Sequence, residues 1–456
     1  MERSLSLTEG HVRSTMLRFA LPFLLANLLQ ALYGAADLLI VGQFSTPAQL
    51  SAVATGSQVL QTVTSLVSGL TTGGTILLGQ YIGMSSERDV KQTVSTMMSL
   101  FAIVALGLMA ILFAATIPLV SLLQTPEAAV PYTRAYVYIC SGGVFFIFGY
   151  NAISAMLRGM GDSKRPLYFI AIACVCNIVG DLVLVGVFHM GAAGAAIATV
   201  ASQGISMLLA IVYLIRKKFL FDFKPKSFRL YREKVSTLLR LGLPVSFQDT
   251  LVNISFLFIT AIVNHMGVIA SAALGVVGKI NTFTMLPPTA FSAALAAMVA
   301  QNMGAGKQDR AKQCMKHAIL LSLCFGVACF VLVQLWPAFF ARIFTSDAAV
   351  IAGSTEYLRS FSFDFILVCF MFCLNGFFNG CGRTVFSMAN NLSSTFLIRV
   401  PIAFIVSRVA SESLFAIGFA APLASLFSIV VAFLYLRTGR WQHSALHTLK
   451  AEDQTP

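Results

Sequence analysis

Residues Leu17–Pro22 read LRFALP, and Leu239–Pro244, 222 positions later, read LRLGLP. The echo continues outward from this pair. GQYIG (Gly79–Gly83) returns as AQNMG (Ala300–Gly304) and RGMGDS (Arg158–Ser163) as NGCGRT (Asn379–Thr384), now 221 positions apart. Tyr136 and Tyr357 keep the same spacing. A register held through so many landmarks marks an internal duplication.

Each copy carries six apolar stretches long enough to cross about 30 Å of hydrocarbon as helices. The first six run near 16–42, 50–79, 93–116, 133–156, 167–188 and 192–215. The second six run near 238–264, 269–302, 315–336, 352–378, 385–407 and 413–437. The reading is an all-α polytopic membrane protein with twelve transmembrane helices in two parallel six-helix repeats. Six crossings per copy give both the same orientation, so a pseudo-two-fold axis along the membrane normal relates them, and the expected substrate site is the cleft between the lobes.

Composition calls for the same solvent. With 57% hydrophobic residues, 11% charged residues and a mean hydropathy of +0.82, the chain has more apolar surface than one soluble core can bury. Its net charge of +13 does not point to nucleic acid, because the basic residues fall between apolar runs. With a cytoplasmic N-terminus, about 25 of the Lys and Arg residues lie on the cytoplasmic side. Both termini are then cytoplasmic. The short loops and the lack of a targeting segment suggest a bacterial plasma membrane, with the N-terminal run retained as a span.

The expected domains are an N-lobe at 1–215, a basic linker at 216–237, a C-lobe at 238–437 and a tail at 438–456. The linker block RKKFLFDFKPKSFRLYREK (Arg216–Lys234) is polar enough to lie on the cytoplasmic surface, where its charge fixes topology and touches anionic lipid. The short polar tail is expected to be mobile.

Several chemistries are excluded. A phosphate cradle needs GxxxxGK followed by Ser or Thr, and NMGAGKQ (Asn302–Gln308) has neither the spacing nor the hydroxyl. Uphill transport must therefore draw on an ion gradient or a separate subunit. No GxSxG elbow is present, so an enzyme is not expected. The nine cysteines form no CxxC pair and the six histidines no HExxH, so neither a metal centre nor a cofactor is expected.

Ionisable side chains inside spans are expensive, and each is a functional candidate by default. They are Asp37, Asp181, Asp249, Lys279, Asp364 and Arg399. Asn177 and Asp181, four residues apart in CNIVGD, project from one helix face, where an amide and a carboxylate can share a proton or a small cation. Asp37 joins them as a carboxylate pair if the first and fifth spans meet. The plainer alternative is that both acids tie helices together. The four C-lobe charges can likewise form structural ion pairs or snorkel.

Pro22 and Pro244 occupy equivalent places in the first helix of each lobe. Each can bend its helix, as a gating element or a static kink. MLPPTAF (Met285–Phe291) is expected to interrupt the eighth span, and GLTTG (Gly69–Gly73) to allow close helix packing.

LPFLLANLLQALYGAADLLIVGQF, LRGMGDSKRP, CNIVGDLVLVGVFHMGAAGAAIATVAS and AQNMGAGKQ together resemble the multidrug and toxic compound extrusion (MATE) family. The likeness is strongest to its DNA-damage-inducible-protein-F-like branch and spans nearly the whole chain. It implies an antiporter that expels amphipathic or cationic organic compounds in exchange for H+ or Na+. On the family motifs Asp37 falls at the first-helix acid, Asn177 and Asp181 at the fifth-helix pair, and Thr199 at the sixth-helix hydroxyl. Thr199 has the competing role of bonding its own helix backbone. Expected partners are small amphipathic molecules and the bilayer, with the protein acting as a monomer. The rival within the superfamily is a flippase for a lipid-linked saccharide, whose cleft needs several cations where this chain offers Lys279 and Arg399.

Overall fold

Helix follows helix through residues 7–123, 125–217, 224–410 and 413–442, which this computed structural model describes, and no strand occurs among them. The first copy contributes α1 (Val12–Phe44), α2 (Pro47–Gly83), α3 (Glu87–Leu122), α4 (Val130–Gly159), α5 (Lys164–Asp181) and α6 (Gly191–Arg216). The second contributes α7 (Arg232–Asn264), α8 (Val268–Gly304), α9 (Gln308–Leu335), a short α10 (Pro337–Arg342), α11 (Ala348–Phe361) and α12 (Phe363–Gly380). It closes with α13 (Thr384–Ser393), α14 (Val400–Val409), α15 (Leu414–Gly418) and α16 (Ala420–Arg437). A π-helical turn at Leu182–Val187 extends α5, and another at Ser394–Arg399 joins α13 to α14. Taking α11 with α12, α13 with α14, and α15 with α16 as single crossings gives six per copy.

Eleven of these segments are apolar enough to span a membrane on hydropathy alone, and α2 is the crossing that is not. Its middle is rich in Ser, Thr and Gly. Thr64, Ser65 and Thr72 each return a hydroxyl to a carbonyl one turn back, which masks their polarity. Its glycines let other helices approach. A methyl group at Gly69 would collide with the Ser246 backbone, and one at Gly73 with Gly242, so α2 and the first part of α7 pack backbone to backbone as GLTTG led us to expect.

Three expectations about spans need correction. The twelfth crossing, expected as a single helix, breaks at Phe419 between α15 and α16. α8 runs unbroken through Pro287 and Pro288. Two missing donors weaken its ladder without ending it, because both rings are buried and Thr289 ties back to the carbonyls of Met285 and Leu286. The tenth crossing, expected as one helix, breaks at Ser362, whose hydroxyl accepts a hydrogen bond from the Gln334 amide at 3.0 Å.

The chain forms two compact units whose borders also differ from the expected ones. One holds Leu25–Ser246 and the other Leu7–Leu24 with the chain from Phe247 onward. The exchange therefore falls inside α1 and α7, two residues beyond Pro22 and Pro244 respectively, and not in the basic linker.

Hydrogen bonds within each unit explain this. In the first unit Ser95 and Thr96 of α3 bond the backbone at Ser227, Arg229 and Tyr231. Buried Lys234 then donates to Asp89 and to the Tyr81 hydroxyl, both at 2.7 Å. In the second unit Asn302, Lys307 and Arg310 donate to the carbonyls of Leu7, Thr8, Glu9 and Gly10. Linker residues 218–223 and tail residues 443–456 lie outside the described residues, and with them the expectation of a mobile tail.

Candidate functional site

Within the first unit α1, α5 and α6 bring together the four residues that motif reading put in one site. Asp37 is 5% exposed, Thr199 3%, and Asn177 and Asp181 are fully buried. The Thr199 hydroxyl donates to Asp37 Oδ2 at 3.4 Å, so it serves the acid and not its own helix. Asp181 and Asn177 are further polar neighbours of Asp37.

Five polar atoms in this knot have no hydrogen-bond partner among the described residues: Asp37 Oδ1, both Asp181 carboxylate oxygens, and the Asn177 side-chain oxygen and nitrogen. Buried polar groups are almost always paired, and two facing carboxylates cannot both hold an uncompensated charge away from water. A proton shared between the acids, or one small cation held by their oxygens and the Asn177 carbonyl, gives the acceptor oxygens of the set a partner. Asp181 is the last residue of α5 before its π turn. Such turns widen the backbone ladder and recur at functional sites.

Tyr33, one turn before Asp37, neighbours both Asp37 and Thr199. From α4 come Tyr136, whose hydroxyl bonds Ser57 at 3.1 Å, and buried Cys140. These three were missed. Hydroxyls and thiols are tolerated in spans, and only the position of Tyr33 four residues before Asp37 gave a signal.

The C-lobe candidates do not converge in the same way. In the second unit Asp364 opens α12 and accepts the Ser425 hydroxyl at 2.6 Å. Arg399, in the π turn before α14, lies over the Phe256 ring at 4.3 Å and senses Tyr357 and Asp364 electrostatically. Lys279 is exposed beside the Phe344 ring, and Asp249 is half-buried in α7. No salt bridge joins any two of these four among the described residues, so the alternative of ion pairs among them is not the one seen. Pro22 and Pro244 lie within continuous helices.

The sequence also hid a buried seam in the second unit. Asn375 bonds Asn391 at 3.1 Å and accepts the Ser387 hydroxyl, while Asn390 donates to the Ser428 hydroxyl at 2.9 Å. Amides carry no charge, so nothing in the apolar runs flagged them.

The family model MatE matches this chain twice, at residues 22–183 and 244–405. The chain belongs to the MATE family. The two matches reproduce the 222-residue spacing of the repeat at both ends. Among curated proteins the chain is 30% identical to the probable multidrug resistance protein YpnP of Bacillus subtilis, covering 97% of this chain and 99% of that one. It is 25% identical to the probable multidrug resistance protein NorM of Thermotoga maritima, covering 96% and 95%. Among solved structures a MOP superfamily transporter from Pyrococcus furiosus superposes with a TM-score of 0.91 at 21% identity, over 97% of this chain and 99% of that one. As a MATE protein the chain is a multi-pass membrane transporter and not an enzyme, and its twelve-helix, two-lobe fold is that of the family.

Proposed function

We propose that this MATE protein exports amphipathic or cationic organic compounds in exchange for H+ or Na+, and that Asp37, Asn177, Asp181 and Thr199 hold the coupling ion. The observation that carries this reading is the buried knot with five unpaired polar atoms and two carboxylates. A proton or cation entering there cancels one of the two charges and gives the orphaned oxygens a partner. Its departure leaves like charges in a dry pocket, an unfavourable state that the ion's binding energy relieves. Coupling requires a site whose stability differs between the loaded and empty forms, and this one has that property.

The positive-inside bias supports a plasma-membrane orientation with both termini cytoplasmic and the linker on the same side. In that orientation the ion enters from outside, binds at the knot, and returns inward as the organic compound leaves. When the exported compound is uncharged, one charge entering across 100 mV contributes about 2.3 kcal/mol, enough for tens-fold accumulation, whereas one-for-one exchange with an organic cation is electroneutral and draws on the ion's concentration gradient. Nothing in the reading requires more than one copy of the chain.

The test is efflux of a fluorescent organic cation from proteoliposomes under separately imposed proton and sodium gradients. Flux driven by one gradient and lost in Asp37→Asn supports the proposal and names the ion. Equal flux in the variant, with protein folded by circular dichroism, contradicts it.

A further inference from the structure

The second unit has a surface groove of about 620 Å³ between the ends of α7 and α14. Phe258, Ile262, Val400 and Phe404 form its apolar walls, and His265, Ser407 and Arg408 its polar rim. Phe258 is 52% exposed and Phe404 50%, so the walls are open to the surroundings and are not core. The Arg408 guanidinium lies 5.4 Å from the centre of the Phe404 ring. It has no ion pair or hydrogen bond among the described residues.

Among the residues lining this groove Arg408 alone is a lysine or arginine, and the α7–α8 turn at 265–267 beside it contains neither. A lone, unpaired guanidinium held by an aromatic face over an apolar trough is built to meet something outside the protein.

We infer that this groove seats one anionic phospholipid, with its phosphate on Arg408, flanked by His265 and Ser407, and an acyl chain along the phenylalanine-lined walls. Charge complementarity selects the headgroup. The planar guanidinium fork matches a pair of phosphate oxygens, and its stacking on Phe404 limits the freedom it must give up to bind. A headgroup with its own cation would bring like charge against Arg408 and lose that advantage. The hydrocarbon part needs no polar partner, and the walls provide none.

Purified full-length protein in a mild detergent is titrated with phosphatidylglycerol and with phosphatidylcholine of the same chains, and retained lipid is counted by native mass spectrometry. The native protein should keep one phosphatidylglycerol in preference to phosphatidylcholine. Arg408→Ala should lower that preference about fivefold, and Arg408→Lys, which keeps the charge but not the planar fork, should fall between the native protein and Arg408→Ala. Arg342→Ala, which removes an exposed arginine elsewhere in the same unit, should leave it unchanged. If Arg408→Ala is not recovered folded, Arg408→Gln and the groove-filling Phe258→Trp carry the same test, and each should reduce phosphatidylglycerol retention. Equal retention of the two lipids by the native protein, or an undiminished preference in the Arg408 and Phe258 variants, overturns the inference. So does full competition by water-soluble glycerol phosphate, which would mean that the headgroup alone is held.

Discussion

The two copies of the repeat keep one scaffold and differ at its centre. At the 222-residue spacing Asp37 corresponds to Ile259 and Asp181 to Ala403. Ile259 and Ala403 belong to one buried apolar cluster of the second unit, together with Tyr357, the counterpart of Tyr136. The meeting of first and fifth crossings that makes a carboxylate knot in one lobe thus makes plain hydrophobic core in the other. The acid that the second lobe does bury, Asp364, sits elsewhere and is held by Ser425, whereas neither oxygen of Asp181 has a partner among the described residues. Duplication supplied the architecture twice, and the buried carboxylate pair is present in one copy.

The comparison can be broken most severely at the knot. Asp37→Asn or Asp181→Asn should cut gradient-driven flux roughly 5–150-fold, the range of typical coupling energies, with little loss of folded protein. A different effect, on stability and not on flux, is expected from planting the missing acid in the other lobe. Ile259→Asp places a lone carboxylate in an apolar cluster and should cost on the order of 3–5 kcal/mol, read as a lower thermal midpoint with no gain of coupling.

Next comes the Lys234 anchor, which tests the exchange of helix starts between units. Lys234→Ala leaves Asp89 and Tyr81 without their shared donor and should destabilise the protein by about 3 kcal/mol, because Asp89 keeps 25% of its side chain in solvent to soften the loss. Gly69→Val should cost roughly 1–3 kcal/mol by driving α2 off the Ser246 backbone, measured by thermal unfolding in detergent. The smallest change is predicted for Asp364→Asn. The amide oxygen still accepts from Ser425, so flux should stay within about twofold of native if the coupling ion belongs to the first lobe alone.

Legibility followed the physics of each feature. All twelve crossings were legible as long apolar stretches, although the Ser and Thr hydroxyls of α2, several of them satisfied within the helix, lower its hydropathy below that of the other eleven. Asp37 and Asp181 stood out because charge in an apolar run is costly, and the spacing of Asn177 from Asp181 already placed both on one face. Their approach to Asp37 and Thr199 is a tertiary fact that no local pattern carries.

The π turn after Asp181 was invisible because it changes the hydrogen-bond ladder and not the composition. The border between units was misplaced for a similar reason. The basic linker looked like a boundary in charge, but its carbonyls and its lysine at 234 are held by α3 and α2, so the chain changes units later, just past a proline. The seam of Asn375, Asn390 and Asn391 escaped notice because amides cost less than charges in a span.

The central claim is that the coupling ion resides on the carboxylate knot of the first lobe. Infrared difference spectroscopy of the reconstituted protein, recorded on acidification and on sodium addition, observes carboxyl groups directly as they gain a proton or a cation. The account predicts a carboxyl signal that disappears in Asp37→Asn and in Asp181→Asn and persists in Asp364→Asn. A signal that survives both first-lobe substitutions and vanishes with Asp364→Asn would place the ion in the other lobe and contradict the account.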